Sequence, residues 1–236
     1  MCFDQTTSLL TFSISFLCFV YLVYNGITTK NKYDILAGIV TLLIGNMQLV
    51  EFFLWKSNGC NQENHFFSLM VMVTLYLQPC IGALFYYYFF QKKYTPWFER
   101  WLYGILFLFT CVTVYILYWL DQRKLCSQKM EKGCRLIWGP FYEFNRNSLG
   151  GNLFLVFLFF YFSLLLYGIG LFDSFISMKL FEGYKKYPVR YAFLPVTFII
   201  AGFLVSQEKN AMAGDIFGST WCFMAVGFGF ICCLGL

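Results

Sequence analysis

The chain has 236 residues, of which 59% are hydrophobic, 23% aromatic and only 12% charged, and its formal net charge is +5. A soluble domain carries about 25% charged residues, so this composition excludes a soluble globular domain. The positive charge does not indicate a nucleic-acid partner, because the lysines and arginines lie between apolar blocks, where cytoplasmic loops of membrane proteins carry them. The partner that the composition predicts is the lipid bilayer.

Seven apolar blocks predict a single all-α domain over residues 1–236, built as a bundle of seven transmembrane helices. A membrane β-barrel would instead show alternating segments of about ten residues. The first block is long for a signal peptide and follows Asp4 with no lysine or arginine before it, so we expect a retained helix. The third block is expected to be interrupted at Gln78-Pro79-Cys80. The predicted spans are 8–24, 33–55, 66–90, 97–120, 152–172, 191–205 and 213–234.

The distribution of basic residues in the short loops predicts that the N-terminus lies outside and the C-terminus inside. The short outer loops then hold only Lys56 and Lys209. The long polar segment 121–151 also lies outside and is itself basic, which weakens the contrast. The inner loops hold Lys30, Lys32, Lys92, Lys93, Arg100, Lys179, Lys185, Lys186 and Arg190.

This orientation places Cys2, Cys60, Cys126 and Cys134 together on the outer side. In an oxidising compartment, one or two disulfides would attach the outer segment to the bundle. Four cysteines allow three pairings. Proximity in sequence favours Cys126–Cys134, with Cys60 bonded to one of these two as the alternative. Free thiols in a reducing compartment are the other interpretation.

The second span contains a polar stretch, residues 46–55, on which the functional hypothesis depends. Helical spacing puts Gln48, Glu51 and Trp55 on one face, at i, i+3 and i+7. A carboxylate and an amide inside a membrane span are unfavourable unless they face a partner or water. We therefore expect this face to form the wall of an internal polar pocket.

Other polar residues are predicted at the same outer depth. Gln78 precedes a proline that frees a backbone carbonyl, and Cys2 stands just before the first span. Two carboxylates that face one another share a proton, because both resist ionising together. The pocket is therefore expected to bind or conduct a proton or a small ion, with Asp215 opposite Glu51. The seventh span contributes a stripe at i, i+4 and i+7 formed by Asp215, Ser219 and Cys222.

Two other classes of function remain open. In a membrane-embedded enzyme, Cys2 or Cys222 would act as nucleophile or metal ligand beside Glu51. In a non-catalytic scaffold, Gln48 and Glu51 would only hydrogen-bond neighbouring helices, and Asp215 would cap its helix. The sequence names no cofactor. A multi-histidine zinc site is excluded because His65 is the only histidine of the chain.

Three short motifs resemble an uncharacterised family of small polytopic membrane proteins that begin Met-Cys-Phe-Ser. They are the opening Met1-Cys2-Phe3-Asp4, Gln48-x-x-Glu51-x-x-x-Trp55 in the second span, and Gly218-Ser219-x-Trp221-Cys222-Phe223 in the seventh. Asp4 stands where that family has serine. The resemblance covers these motifs and the number of spans, and it implies that Cys2, Glu51 and the stripe on the seventh span form one neighbourhood. It implies no reaction.

Overall fold

The computed structural model describes residues 4–57, 59–90, 96–129, 136–168, 196, 200 and 227–235. These residues are predominantly helical, and their one sheet pairs two strands of two residues each, antiparallel, with Gln128 opposite Ile137. The elements are α1 (Gln5–Thr28), α2 (Lys32–Lys56), α3 (Gln62–Phe90), α4 (Pro96–Asp121), β1 (Gln128–Lys129), β2 (Leu136–Ile137), α5 (Gly139–Arg146), α6 (Ser148–Gly168) and α7 (Gly227–Cys233).

Five of the described helices, α1 to α4 and α6, are long and apolar enough to cross a membrane, judged by length and composition. They coincide with the first five predicted spans, which confirms the all-α class, and their length and apolar composition are compatible with a multi-pass membrane protein. The predicted sixth span lies outside the described residues except for Val196 and Ile200. Of the predicted seventh span, the structure describes only the end, which contains α7.

The first two helices begin at side-chain caps that extend them beyond the apolar blocks. The Asp4 carboxylate accepts a hydrogen bond from the Thr7 amide at 2.7 Å, and the Asn31 side chain accepts one from the Tyr33 amide at 3.2 Å. Each cap satisfies an amide that has no partner within its helix. The bond from Thr7 also lowers the pKa of Asp4 below its usual value.

The first helix presents two different faces. Small side chains, among them Ser8, Thr11 and Ser15, are buried toward the bundle. Ser15 lies so close to Gly45 of α2 that a β-carbon at Gly45 would come within 2.5 Å of the Ser15 β-carbon. Small residues allow this approach, as they commonly do between membrane helices. The opposite face of α1 exposes large apolar side chains that suit contact with lipid: Leu10, Leu17, Tyr24 and Ile27.

The third helix is continuous through Pro79, so the predicted interruption is wrong. Proline removes one backbone hydrogen bond from a helix but does not have to break it. Within a bundle, neighbouring helices and polar side chains compensate for the loss. The Gln78 side chain beside it contacts both α2 and α6.

The segment between α4 and α6 is not the polar loop that the sequence predicts. Its described part, residues 122–129 and 136–147, is called the connecting segment below. It contains β1, β2 and α5, and it contributes to the same hydrophobic core as the long helices. Its large apolar side chains that are fully or nearly buried are Leu125, Leu136, Trp138, Phe141 and Phe144.

Candidate functional site

Glu51 lies near the end of α2 and is buried, with 3% of its surface exposed. The Gln48 side-chain amide donates a hydrogen bond to Glu51 Oε2 at 2.9 Å. The indole of Trp138 donates another to Glu51 Oε1 at 3.1 Å. Both carboxyl oxygens therefore have a partner, one from the preceding turn of α2 and one from the connecting segment.

Both donors to Glu51 are neutral. Among the residues that the structure describes, no lysine or arginine forms an ion pair with this carboxyl; the arginine that meets a carboxylate there is Arg123, which pairs with Glu143. A negative charge buried without a cation is strongly unfavourable. Among the described residues, the surroundings of Glu51 are therefore suited to a carboxyl that holds a proton or a small cation.

Trp138 contacts Glu51 from the connecting segment and is buried beside it. Glu51 is only about 7–8 Å along the axis from the end of α2 at Lys56. The Trp138 side chain covers it and is itself 0% exposed. Trp138 precedes α5, whose first turn contains Pro140, a residue that favours helix starts. Trp138 was not among the predicted residues, although a tryptophan directly before Gly139-Pro140 in the segment between two spans was a usable signal.

A buried hydrogen-bond network holds the connecting segment on the bundle at this point. The Asn64 side chain accepts from the Ser127 amide at 2.8 Å and donates to the Ser127 carbonyl at 2.9 Å. The Ser127 hydroxyl lies 2.7 Å from the Ser68 hydroxyl and accepts from the Gly139 amide at 2.9 Å. Because Gly139 follows Trp138 directly, the network fixes the backbone that carries the indole.

His65 adds to the same attachment. Its Nδ1 accepts a hydrogen bond from the Leu125 amide at 3.2 Å, and its Nε2 lies 3.3 Å from the Asp121 carboxylate. Since Nδ1 accepts, the ring proton belongs on Nε2, where it is donated to Asp121. The only histidine of the chain thus has a structural role at the end of α4.

A disulfide joins Cys60 to Cys126, with their α-carbons 5.0 Å apart. The favoured pairing of Cys126 with Cys134 is therefore wrong, and the alternative pairing with Cys60 is present. The reason is tertiary: the contacts between Asn64 and Ser127 bring the loop before α3 against the connecting segment, over 66 residues of sequence. Cys134 and Cys2 lie outside the described residues.

Gln78 belongs to a second polar contact rather than to the Glu51 site. Its amide donates to the Leu43 carbonyl of α2 at 3.2 Å, and its Oε1 accepts from the Tyr161 hydroxyl of α6 at 2.9 Å. Leu43 lies about two helical turns before Glu51, a separation of about 12 Å along α2. Of the predicted pocket, the structure brings together Gln48 and Glu51 and places the Gln78 contacts deeper in the bundle.

Asp215, Ser219 and Cys222 lie outside the described residues. The helix that follows them, α7, contacts both α1 and α2. The Cys233 thiol lies 3.9 Å from the Cys18 carbonyl, and a β-carbon at Gly229 would clash with the Thr41 side chain. Over the ranges the structure describes, no three His, Cys, Asp or Glu side chains form a group suited to a metal ion.

Comparisons with protein-family models, with curated proteins and with solved structures find no match for this chain.

Proposed function

We propose that the protein is a multi-pass membrane protein of seven spans, with its N-terminus outside, in which Glu51 binds a proton or a small cation on its way through the bundle. One observation carries this proposal: within the part of the chain that the structure describes, the buried Glu51 carboxyl receives its hydrogen bonds from neutral donors. Ionisable groups inside membrane spans that lack a fixed counter-charge mark proton and ion pathways.

The proposed topology has support from the cysteine pair. Cys60 stands between α2 and α3, and Cys126 follows α4, so their bond requires these ends of the helices to lie on one side. This requirement is met when successive helices cross the membrane in opposite directions. A disulfide also suits an outer, oxidising compartment, which agrees with the basic residues assigned to the inner loops.

The proposal extends to the stripe on the seventh span. In a seven-span topology, the second and seventh spans run in opposite directions. Thr41 of α2 and Gly229 of α7 lie against one another, so a seventh span running in this direction would carry Cys222, Ser219 and then Asp215 toward the end of α2 that holds Glu51. The proposal is therefore one site shared by both spans, with Asp215 as the second proton-accepting group.

Proton flux into liposomes that contain the purified protein tests the function. Glu51→Gln keeps the size of the side chain but cannot exchange a proton, so we expect flux to fall to the level of empty liposomes. Glu63→Gln is the matched control, since Glu63 is exposed at the start of α3 and should leave the flux unchanged. Undiminished flux through Glu51→Gln would contradict the proposal.

A scaffold function is the second candidate, and the contacts of Gln78 favour it. That side chain joins three helices and satisfies both ends of its amide without any ligand. If Glu51 serves the same purpose, Glu51→Gln should lower the thermal unfolding temperature while no flux is detected in the wild type either. Measuring both quantities on the same samples distinguishes the two candidates.

A further inference from the structure

An open cleft of about 640 Å³ lies at the other end of α2, where the chain turns from α1 into α2. Lys30 forms the turn with a left-handed backbone, φ 55°, which is uncommon for residues other than glycine. Polar side chains supply most of the lining, and the end of α3 closes one side. The lining residues are Asn25, Thr29, Lys30, Asn31, Lys32, Tyr33, Asp34 and Phe89.

The lining carries more positive than negative charge. Lys30 and Lys32 stand against a single carboxylate, Asp34, which is buried and accepts a hydrogen bond from Asn25 at 2.8 Å. The Lys32 ammonium donates to the Phe89 carbonyl at 3.2 Å. Within the described part of the chain, the Lys30 ammonium has no hydrogen-bond or ion-pair partner. The cleft therefore offers one unpaired cation, together with the positive end of the α2 dipole.

An exposed apolar surface adjoins this cationic cleft. Tyr24 and Ile27, in the last turns of α1, are 69% and 64% exposed. Both α1 and α2 are long enough to cross a membrane, so the turn between them falls at the level of the lipid headgroups. Cationic groups at headgroup depth, next to an apolar helix face, match both parts of a phospholipid molecule.

We propose that this cleft binds the phosphodiester headgroup of one anionic phospholipid, whose acyl chains lie along the exposed face of α1. Lys30 pairs with the phosphate and Lys32 adds a second positive charge. Under the N-out topology, the lipid belongs to the inner leaflet, which carries the anionic lipids of most cells. The site is separate from Glu51 and stands whether or not Glu51 moves protons.

Native mass spectrometry of the detergent-solubilised full chain tests the proposal. The probes are phosphatidylglycerol and phosphatidylcholine with identical acyl chains. We expect one phosphatidylglycerol to remain bound in preference to phosphatidylcholine. A lysine near a lipid surface contributes about fivefold in affinity, so Lys30→Gln should weaken phosphatidylglycerol binding by about fivefold and Lys30→Gln with Lys32→Gln by about 25-fold.

Lys56→Gln is the matched control, because it removes the same charge at the opposite end of the same helix. An equal loss with Lys56→Gln would overturn the site, since binding would then follow net charge alone. Displacement of the lipid by millimolar inorganic phosphate would also overturn it, because a soluble anion would then be the ligand. Lys30→Gln removes no contact among the described residues, so unfolding would not explain a loss of lipid in that variant.

Discussion

The two ends of α2 each contain a buried carboxyl group, and their surroundings differ. Asp34 lines an open cleft, beside two lysines and an asparagine. Glu51 lies beneath a tryptophan, and its partners in the described part of the chain are the neutral side chains of Gln48 and Trp138. The Asp34 carboxylate is supported by nearby lysines and by a hydrogen bond from Asn25. Within the described ranges, the Glu51 carboxyl has no such charged support, and the connecting segment shields it by placing Trp138 against it.

We call the end of α2 at Glu51 its closed end and the end at Asp34 its open end. We expect the stability of the protein to depend mainly on the closed end and lipid binding on the open end. The largest effect is expected from Trp138→Ala. This change leaves a cavity and removes a hydrogen bond to Glu51, so we expect a loss of about 3–5 kcal/mol in the free energy of unfolding. Thermal unfolding in detergent measures it.

Trp138→Phe is the control for that change, since it keeps most of the volume and removes the indole donor. A loss of about 1–2 kcal/mol is expected from the missing hydrogen bond. If both variants were as stable as the wild type, Trp138 would not be a structural cover over Glu51.

The next largest effect is expected from Cys60→Ser combined with Cys126→Ser. A disulfide that closes a long loop typically stabilises a protein by about 2–4 kcal/mol, and this one spans 66 residues. The connecting segment should also exchange its amide hydrogens faster, which hydrogen–deuterium exchange would detect at Leu125 and Ser127. Unchanged exchange there would mean that the Asn64 network suffices to hold the segment.

A smaller effect is expected from Tyr161→Phe, which removes only the hydroxyl that donates to Gln78. The loss should be about 1 kcal/mol. Because the two sites are about two turns apart, the effects of Tyr161→Phe and Trp138→Phe should add. A measured coupling above about 0.5 kcal/mol would show that Gln78 and Glu51 belong to one network after all.

The smallest effect on stability is expected at the open end. Lys30→Gln changes an exposed side chain, so the free energy of unfolding should stay within about 0.5 kcal/mol of the wild type. The variant should differ only in lipid binding. A large loss of stability in detergent without lipid would remove the contrast between the two ends of α2.

Much of the fold could be predicted from the sequence because a bilayer restricts the choices. A long apolar block must satisfy its backbone within itself, so it becomes a helix; the blocks that became α1 to α4 and α6 were recognised in this way. The pair of Gln48 and Glu51 was also predictable, since helical spacing puts them on adjacent turns. The interruption predicted at Pro79 was wrong because the rule that proline breaks a helix considers one helix alone, whereas neighbouring helices in a bundle compensate for the lost hydrogen bond.

The sequence by itself determined the class of the protein, its long helices and the face of α2 that carries Glu51. Composition and spacing set these features, because each depends on residues near in sequence and on the solvent around them. Only the tertiary structure decided which residues contact that face of α2. Trp138 reaches Glu51 from 87 residues away, and Cys126 pairs with Cys60 instead of a nearer cysteine. Such contacts depend on how the connecting segment packs into the shared core, which no local pattern encodes.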